Sequence, residues 1–193
     1  MTSLSLTYAE TLLSDGEFWH AFNLGMTNDR ATVSAARKAL REFRANYGYT
    51  GGADMLTKPE AQAKPGKSER YALSLMLTPE RNMTPELLES AGFRGTLNLC
   101  PLASLGCAGA CLYTSGHGAF TATQRARQIR TLFLLAHPFY AGAIIGAEIR
   151  RALLANDYDS VTLRLNVTSD IRWELLDGAA RSVALLRSFG VRL

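Results

Sequence analysis

Cysteine is scarce in this chain of 193 residues: there are three, and all lie between positions 100 and 111. An odd count does not make a disulfide-stapled secreted framework, which pairs its cysteines in even numbers. Long apolar runs are also missing. The longest, Leu132 to Ala147, is broken by His137 and Pro138 and falls short of the ~20 residues a membrane span needs. The N-terminus carries no basic segment followed by an apolar one, so no signal peptide is expected. These absences point to a soluble protein of a reducing cytoplasm with no membrane partner, where clustered cysteines mean metal or catalysis more often than disulfides. Four familiar motifs are absent as well: GxGxxG, the Walker loop, GxSxG and HExxH. No internal repeat is visible. Charge of one sign is not in large excess. Lys plus Arg number 21 against 17 Asp plus Glu, a net +4, which permits contact with nucleic acid or another anion without requiring it.

What is present reads as globular: 47% hydrophobic and 20% charged residues, in a chain long enough to bury a core without staples. Residues 1–49 are expected to form an N-terminal helical segment. Within it, Asn28 or Asp29 caps a helix carrying Val33, Ala36, Leu40 and Phe43 at helical spacing, with Gly48 as its stop. The opposite face holds Arg37, Lys38, Arg41 and Arg44, a solvated face or a nucleic-acid contact. Residues 50–69 are rich in Gly, Pro and Lys and read as a linker or mobile loop. Residues 70–193 read as an α/β domain. Tyr71, Leu73, Leu75 and Leu77 alternate as in a half-buried strand, and residues 84–92 form a short helix with Thr84 as cap. Residues 95–99 form another strand. Two helices follow the cysteines, the first carrying Arg125, Arg127 and Arg130. Gly142 and Gly146 make a GxxxG pair in the second, read as close helix packing. Val161, Leu163, Leu165 and Val167 give the clearest strand. A helix is expected to begin directly after it at Thr168, Ser169 or Asp170, and a last strand at residue 191. This order suggests mostly parallel strands with flanking helices.

The chemistry gathers in two places. "NLCPLASLGCAGACLYTSGHG", residues 98–118, holds Cys100, Cys107 and Cys111 in a C-x6-C-x3-C spacing. Three thiolates on a glycine-rich loop suit zinc or an iron–sulfur cluster, with His117 as the local candidate for a fourth ligand or a phosphate-facing group. The alternative is three packed small residues. The second is "RLNVTSDIRWE". Asn166 and Asp170 bracket a strand end, where functional groups collect in α/β folds. Asp170 is a general base, a metal or hydroxyl acceptor, or a helix cap. Glu174 extends that acidic rim or complements a helix dipole. Arg164 reaches an anion or the solvent. A three-cysteine loop after an early strand is similar in placement, though not in spacing, to that of the radical S-adenosylmethionine enzymes.

Together, "YALSLMLTPERN", the cysteine block, "RQIRTLFLLAHPFYA" and "LRLNVTSDIRWE" resemble the uncharacterised mycobacteriophage gene-product-88 proteins over Met55 to Glu174. The resemblance implies a phage-encoded protein of the host bacterial cytoplasm with a barrel-like α/β core. It also implies further strands beyond the WE block, so the chain is expected to be a C-terminally short member. A barrel of eight units takes ~200 residues or more. The expected fold is thus a partial, half TIM-barrel-like sheet, with a homodimer covering its open edge. The expected function is a metal- or iron–sulfur-binding, enzyme-like domain. Cys100, Cys107 and Cys111 would hold the centre, with Asn166, Asp170 and Glu174 at its rim. The rival is a noncatalytic accessory protein that binds a host protein or nucleic acid through Arg125, Arg127 and Arg130.

Overall fold

Helices occupy most of the first fifty residues, as the periodicity predicts. They are α1 (Leu6–Asp15), α2 (Phe18–Met26) and α3 (Arg30–Asn46). The computed structural model describes residues 3–4, 6–52, 54–59, 71–79, 82–101, 103–155 and 161–193. Asp29 is the cap of α3, its carboxylate accepting the Thr32 N–H at 2.9 Å. Gly48 takes the left-handed conformation just past the end (φ 60°), a geometry that favours glycine. Ala36 and Leu40 turn into the core, as expected. Arg44, expected on the solvated face, is buried instead, with its guanidinium 4.7 Å over the Tyr49 ring.

The centre of the molecule is α7 (Pro138–Ala155), which follows α6 (Thr121–Ala136) across a 120° bend at His137. Pro138 starts the new helix because its fixed φ suits a first turn and its missing N–H is not needed there. Gly142 and Gly146 face α2 so closely that backbone meets backbone: a Cβ on either would run into the Phe18 or Phe22 carbonyl. Gly25 of α2 makes the reciprocal approach to the Ala143 carbonyl. The GxxxG pair is therefore a packing device. α2 and α7 share one hydrophobic core with the strands, from Ala9 to Val191. No single helix among the described residues is long and apolar enough to cross a membrane.

β2 (Leu56–Thr57), β3 (Tyr71–Leu75), β5 (Val161–Arg164) and β6 (Val191–Arg192) form a sheet in the order β2-β3-β5-β6. β3, β5 and β6 are mutually parallel, with Tyr71 opposite Val161 and Val161 opposite Val191. β2 runs antiparallel to β3. The fold is thus mixed α/β around a small open sheet. Both edge strands have only two residues, too little sheet to define the curvature of a barrel wall. Short edges also offer little template for pairing with a second chain. β3 is buried along its whole length, not on alternate sides as its pattern suggested, because parallel sheets are covered on both faces. A separate parallel pair joins β1 (Ser3–Leu4) to β4 (Thr96–Leu97).

Of the expected linker, residues 53 and 60–69 lie outside the described residues. Met55 and Leu56 within it are buried, and the Glu148 carboxylate of α7 accepts both their N–H groups, at 3.0 and 2.8 Å. The helix expected from Thr168, Ser169 or Asp170 requires correction. A 3₁₀ turn spans Trp173–Leu175, and α8 (Ala179–Ser188) begins only after Gly178 (φ 83°). The reason is local. The Asn166 side chain donates to the Ile171 carbonyl at 2.8 Å and accepts the Trp173 indole N–H at 2.9 Å. Thr168 donates to the Leu77 carbonyl at 2.6 Å. These bonds hold residues 166–173 in an irregular path that helical hydrogen bonding cannot displace.

Candidate functional site: the cysteine loop and the end of strand β5

The cysteine stretch leaves β4 through a turn in which the Asn98 side chain accepts the Cys100 N–H at 2.8 Å. The next anchor is long-range. The Asp170 N–H donates to the Leu99 carbonyl at 2.7 Å, and the Cys100 thiol meets the Thr168 carbonyl at 3.3 Å. The loop is thereby fastened to the segment beyond β5. It then forms a single helical turn, α5 (Leu105–Gly109), where the glycine-rich sequence predicts only loop. Ser104 caps it, its hydroxyl accepting the Cys107 N–H at 3.1 Å. No residue of α5 is buried, and Leu105 is 94% exposed.

One cleft, about 480 Å³ in volume, is lined by Ala103, Ser104 and Cys107 on one side and by Asn166, Asp170, Ile171, Arg172 and Glu174 on the other. Four of the expected site residues meet there. The three sulfur atoms do not. Cys107 is exposed on the cleft, whereas Cys100 turns to Thr168 and the Cys111 sulfur accepts the Tyr113 N–H at 3.4 Å. Among the described residues no group of three or more His, Cys, Asp or Glu side chains is placed to hold a metal ion. His117 is exposed on a 3₁₀ turn, stacked on Phe120 at 5.5 Å, and does not line this cleft. Arg164 lines an adjoining cleft of about 380 Å³ with Trp19, Trp173 and Glu174.

Asn166 is occupied by the fold. Its amide satisfies Ile171, Trp173 and Ser169 at once, so it positions the rim. We expect Asn166→Ala to cost about 2 kcal/mol, since it strands an indole N–H and a carbonyl. Urea unfolding followed by tryptophan emission measures this, and an unchanged midpoint would count against the latch.

Two residues of this region were missed in the sequence. Ser104 was legible as a cap three positions before Cys107. Arg172 was not, because its partner is remote: Glu10 of α1 accepts its backbone N–H at 2.9 Å and its guanidinium at 3.0 and 2.6 Å. Burial alone would raise the Glu10 pKa, but these hydrogen bonds outweigh it and hold it below the usual value. Arg172, though it borders the cleft, has its charge matched there. The arginines of the rival reading are also engaged. Arg125 donates to the Tyr47 carbonyl, and Arg130 to the Asp54 carbonyl and Thr57 hydroxyl. Arg127, 5% exposed, donates to the Leu112 carbonyl and lies 5.4 Å over the Tyr113 ring. Burial lowers the pKa of Arg127 and raises that of Tyr113.

The sequence model of the gene product 88 family matches residues 52–190, from just before β2 to the end of α8. The chain belongs to the gene product 88 family. Both the cysteine block and the β5 end lie inside that match, so the cleft is made of family sequence. No curated protein matches the chain, and no solved structure does.

Proposed function

We propose that this gene product 88 member is an enzyme-like domain of the host bacterial cytoplasm, with a zinc or iron–sulfur centre on its cysteine loop. Cys100, Cys107 and Cys111 are the ligands of that centre, and Asp170 and Glu174 are the acid–base or substrate-binding rim. The observation that supports this reading is the shared cleft: the exposed Cys107 lines it together with two carboxylates, Asp170 and Glu174. The arrangement described does not itself present a ligand set. Loading requires the Ser104–Ala110 stretch to rearrange, and its packing permits that. No α5 residue is buried, and a side chain on Gly109 would meet nothing within 4 Å, so little is lost by moving it. The parallel set β3, β5 and β6 is compatible with part of a barrel wall, the architecture this reading favours.

Anaerobic purification with metal analysis, an absorption spectrum and native alkylation of the thiols tests the proposal. We expect stoichiometric iron or zinc, thiols protected from alkylation, and loss of both in Cys107→Ser. A metal-free protein whose three thiols all react in the native state would sink it. The accessory-protein reading gains no support from Arg125, Arg127 and Arg130, which are used inside the fold.

A further inference from the structure

A second cleft shares no lining residue with the one beside the cysteines. It holds about 580 Å³, the range of small-molecule sites, and lies where α1, α3, α4 (Pro85–Glu89) and the α6–α7 corner converge. Its walls are aromatic: Phe43 from α3, Tyr47 just past its end, Phe93 beyond α4, and His137 at the corner. The imidazole stands perpendicular to Phe43 at 5.5 Å and lies 5.3 Å from Phe133. Among the described residues its ring nitrogens have no hydrogen-bond partner, which leaves one donor and one acceptor unspent in the neutral ring. Burial lowers the His137 pKa, in keeping with a neutral ring. Asn46 and Ser90 add polar groups at the mouth.

No charged side chain among the described residues lines this cleft. A charged ligand would lose its hydration there, and the Arg125 guanidinium behind the Tyr47 wall is already spent on the Tyr47 carbonyl, whereas a neutral planar ring would gain aromatic faces and a hydrogen bond. We propose that the Phe43–Tyr47–Phe93–His137 cleft is a binding site for a neutral heteroaromatic ring, hydrogen-bonded by His137. The site is independent of the cysteine loop, so it stands or falls apart from the metal centre.

The test is titration of the full chain with indole, read by proton NMR of the histidine ring signals. The chain has three histidines, and His137→Gln identifies the one concerned. We expect a saturable shift of the His137 signal. Benzoate and benzamidinium should bind about tenfold more weakly or worse, a difference of one power of ten in Kd. Ala91→Leu, which fills the cleft, and Asn46→Trp, which covers it from an exposed position, should weaken indole binding to the same extent. Three results would each overturn the proposal: no saturable shift up to the solubility of indole, equal binding of the charged rings, or undiminished binding in a folded Asn46→Trp variant.

Discussion

Replacing Gly146 with alanine is expected to lower the free energy of unfolding by about 3 kcal/mol, the upper range for overpacking a filled core. Two effects of the added methyl oppose each other. In a helix interior it is worth about 1 kcal/mol in favour of alanine. At this position it would also overlap the Phe22 carbonyl and lie 3.0 Å from the Met26 nitrogen. Both are main-chain atoms of α2 and cannot swing aside as a side chain would. α2 and α7 must separate, and the contacts of Phe18, Phe22 and Ile145 loosen with them. The clash therefore wins over propensity. For a chain of this size the loss is a fall of about 6–12 °C in Tm. Gly142→Ala should behave alike, since its Cβ would overlap the Phe18 carbonyl and lie 3.2 Å from the Phe22 nitrogen. Gly109→Ala is the control: with open space around it, it should change stability by less than about 0.5 kcal/mol. Thermal and urea unfolding decide the matter. If Gly146→Ala unfolded with the wild type, the two helices would have room that the structure denies them.

The second large effect concerns Glu148, 3% exposed on α7. Burial pushes its pKa up to about 7, against the pull of the Leu56 and Met55 N–H groups that its carboxylate accepts. A folded-state pKa above the unfolded one means that the folded chain holds the extra proton. The contribution of Glu148 to stability is full below the unfolded value of 4.5 and is lost as pH rises to about 7. We expect unfolding free energy to fall by roughly 2 kcal/mol between pH 5 and pH 8 through this group alone. Glu10 works in the opposite sense: with its pKa lowered, its stabilisation is lost as pH falls. Comparison with Glu148→Gln isolates the term. The glutamine variant, a neutral stand-in for the protonated acid, should lack this slope, so the two curves run together at low pH and separate as pH rises, the wild type falling below. Glu148→Ala should cost about 2–5 kcal/mol at pH 5, because it leaves two buried N–H groups without an acceptor, and less at pH 8, where the wild type has lost the contribution of the protonated acid. Parallel pH curves for wild type and Glu148→Gln would show that Glu148 does not titrate in this range.

Much of the helical frame could be read in advance. The 3.6 period of Ile144, Ile145 and Ile149 gave α7, and Gly142 with Gly146 announced a close approach before any partner helix was known. Strand β5 was equally plain from Val161 and Leu163, though it stops at Arg164, short of the Leu165 and Val167 that continue the alternation. The helix after it was misplaced because Asn166 and Trp173 satisfy each other's polar groups, an exchange that propensity does not describe. Glu148 carried a usable signal: it stands one turn beyond Ile144 and Ile145, on the stripe that had to face the core. Its partners carried none, since Met55 and Leu56 sit in a stretch whose composition looks like a linker. The meeting of Cys107 with Asp170 and Glu174 followed from the rule that strand ends gather functional groups. The divergence of the sulfurs did not, because side-chain direction depends on Thr168 and Tyr113, and spacing says nothing of either. Arg127 shows the same limit from the other side. As one of three arginines on a helix it looked like surface charge, and only the Tyr113 ring beneath it explains why it is inside.

α5 has a consequence for how such a protein changes over time. The turn that presents Cys107 contributes no buried side chain, while the α2–α7 seam tolerates almost no added atom. Selection on stability therefore bears heavily on the seam and hardly at all on the turn. Residues 104–110 can be lengthened, shortened or re-equipped at almost no folding penalty, so the face that carries Cys107 is free to vary while the seam stays fixed.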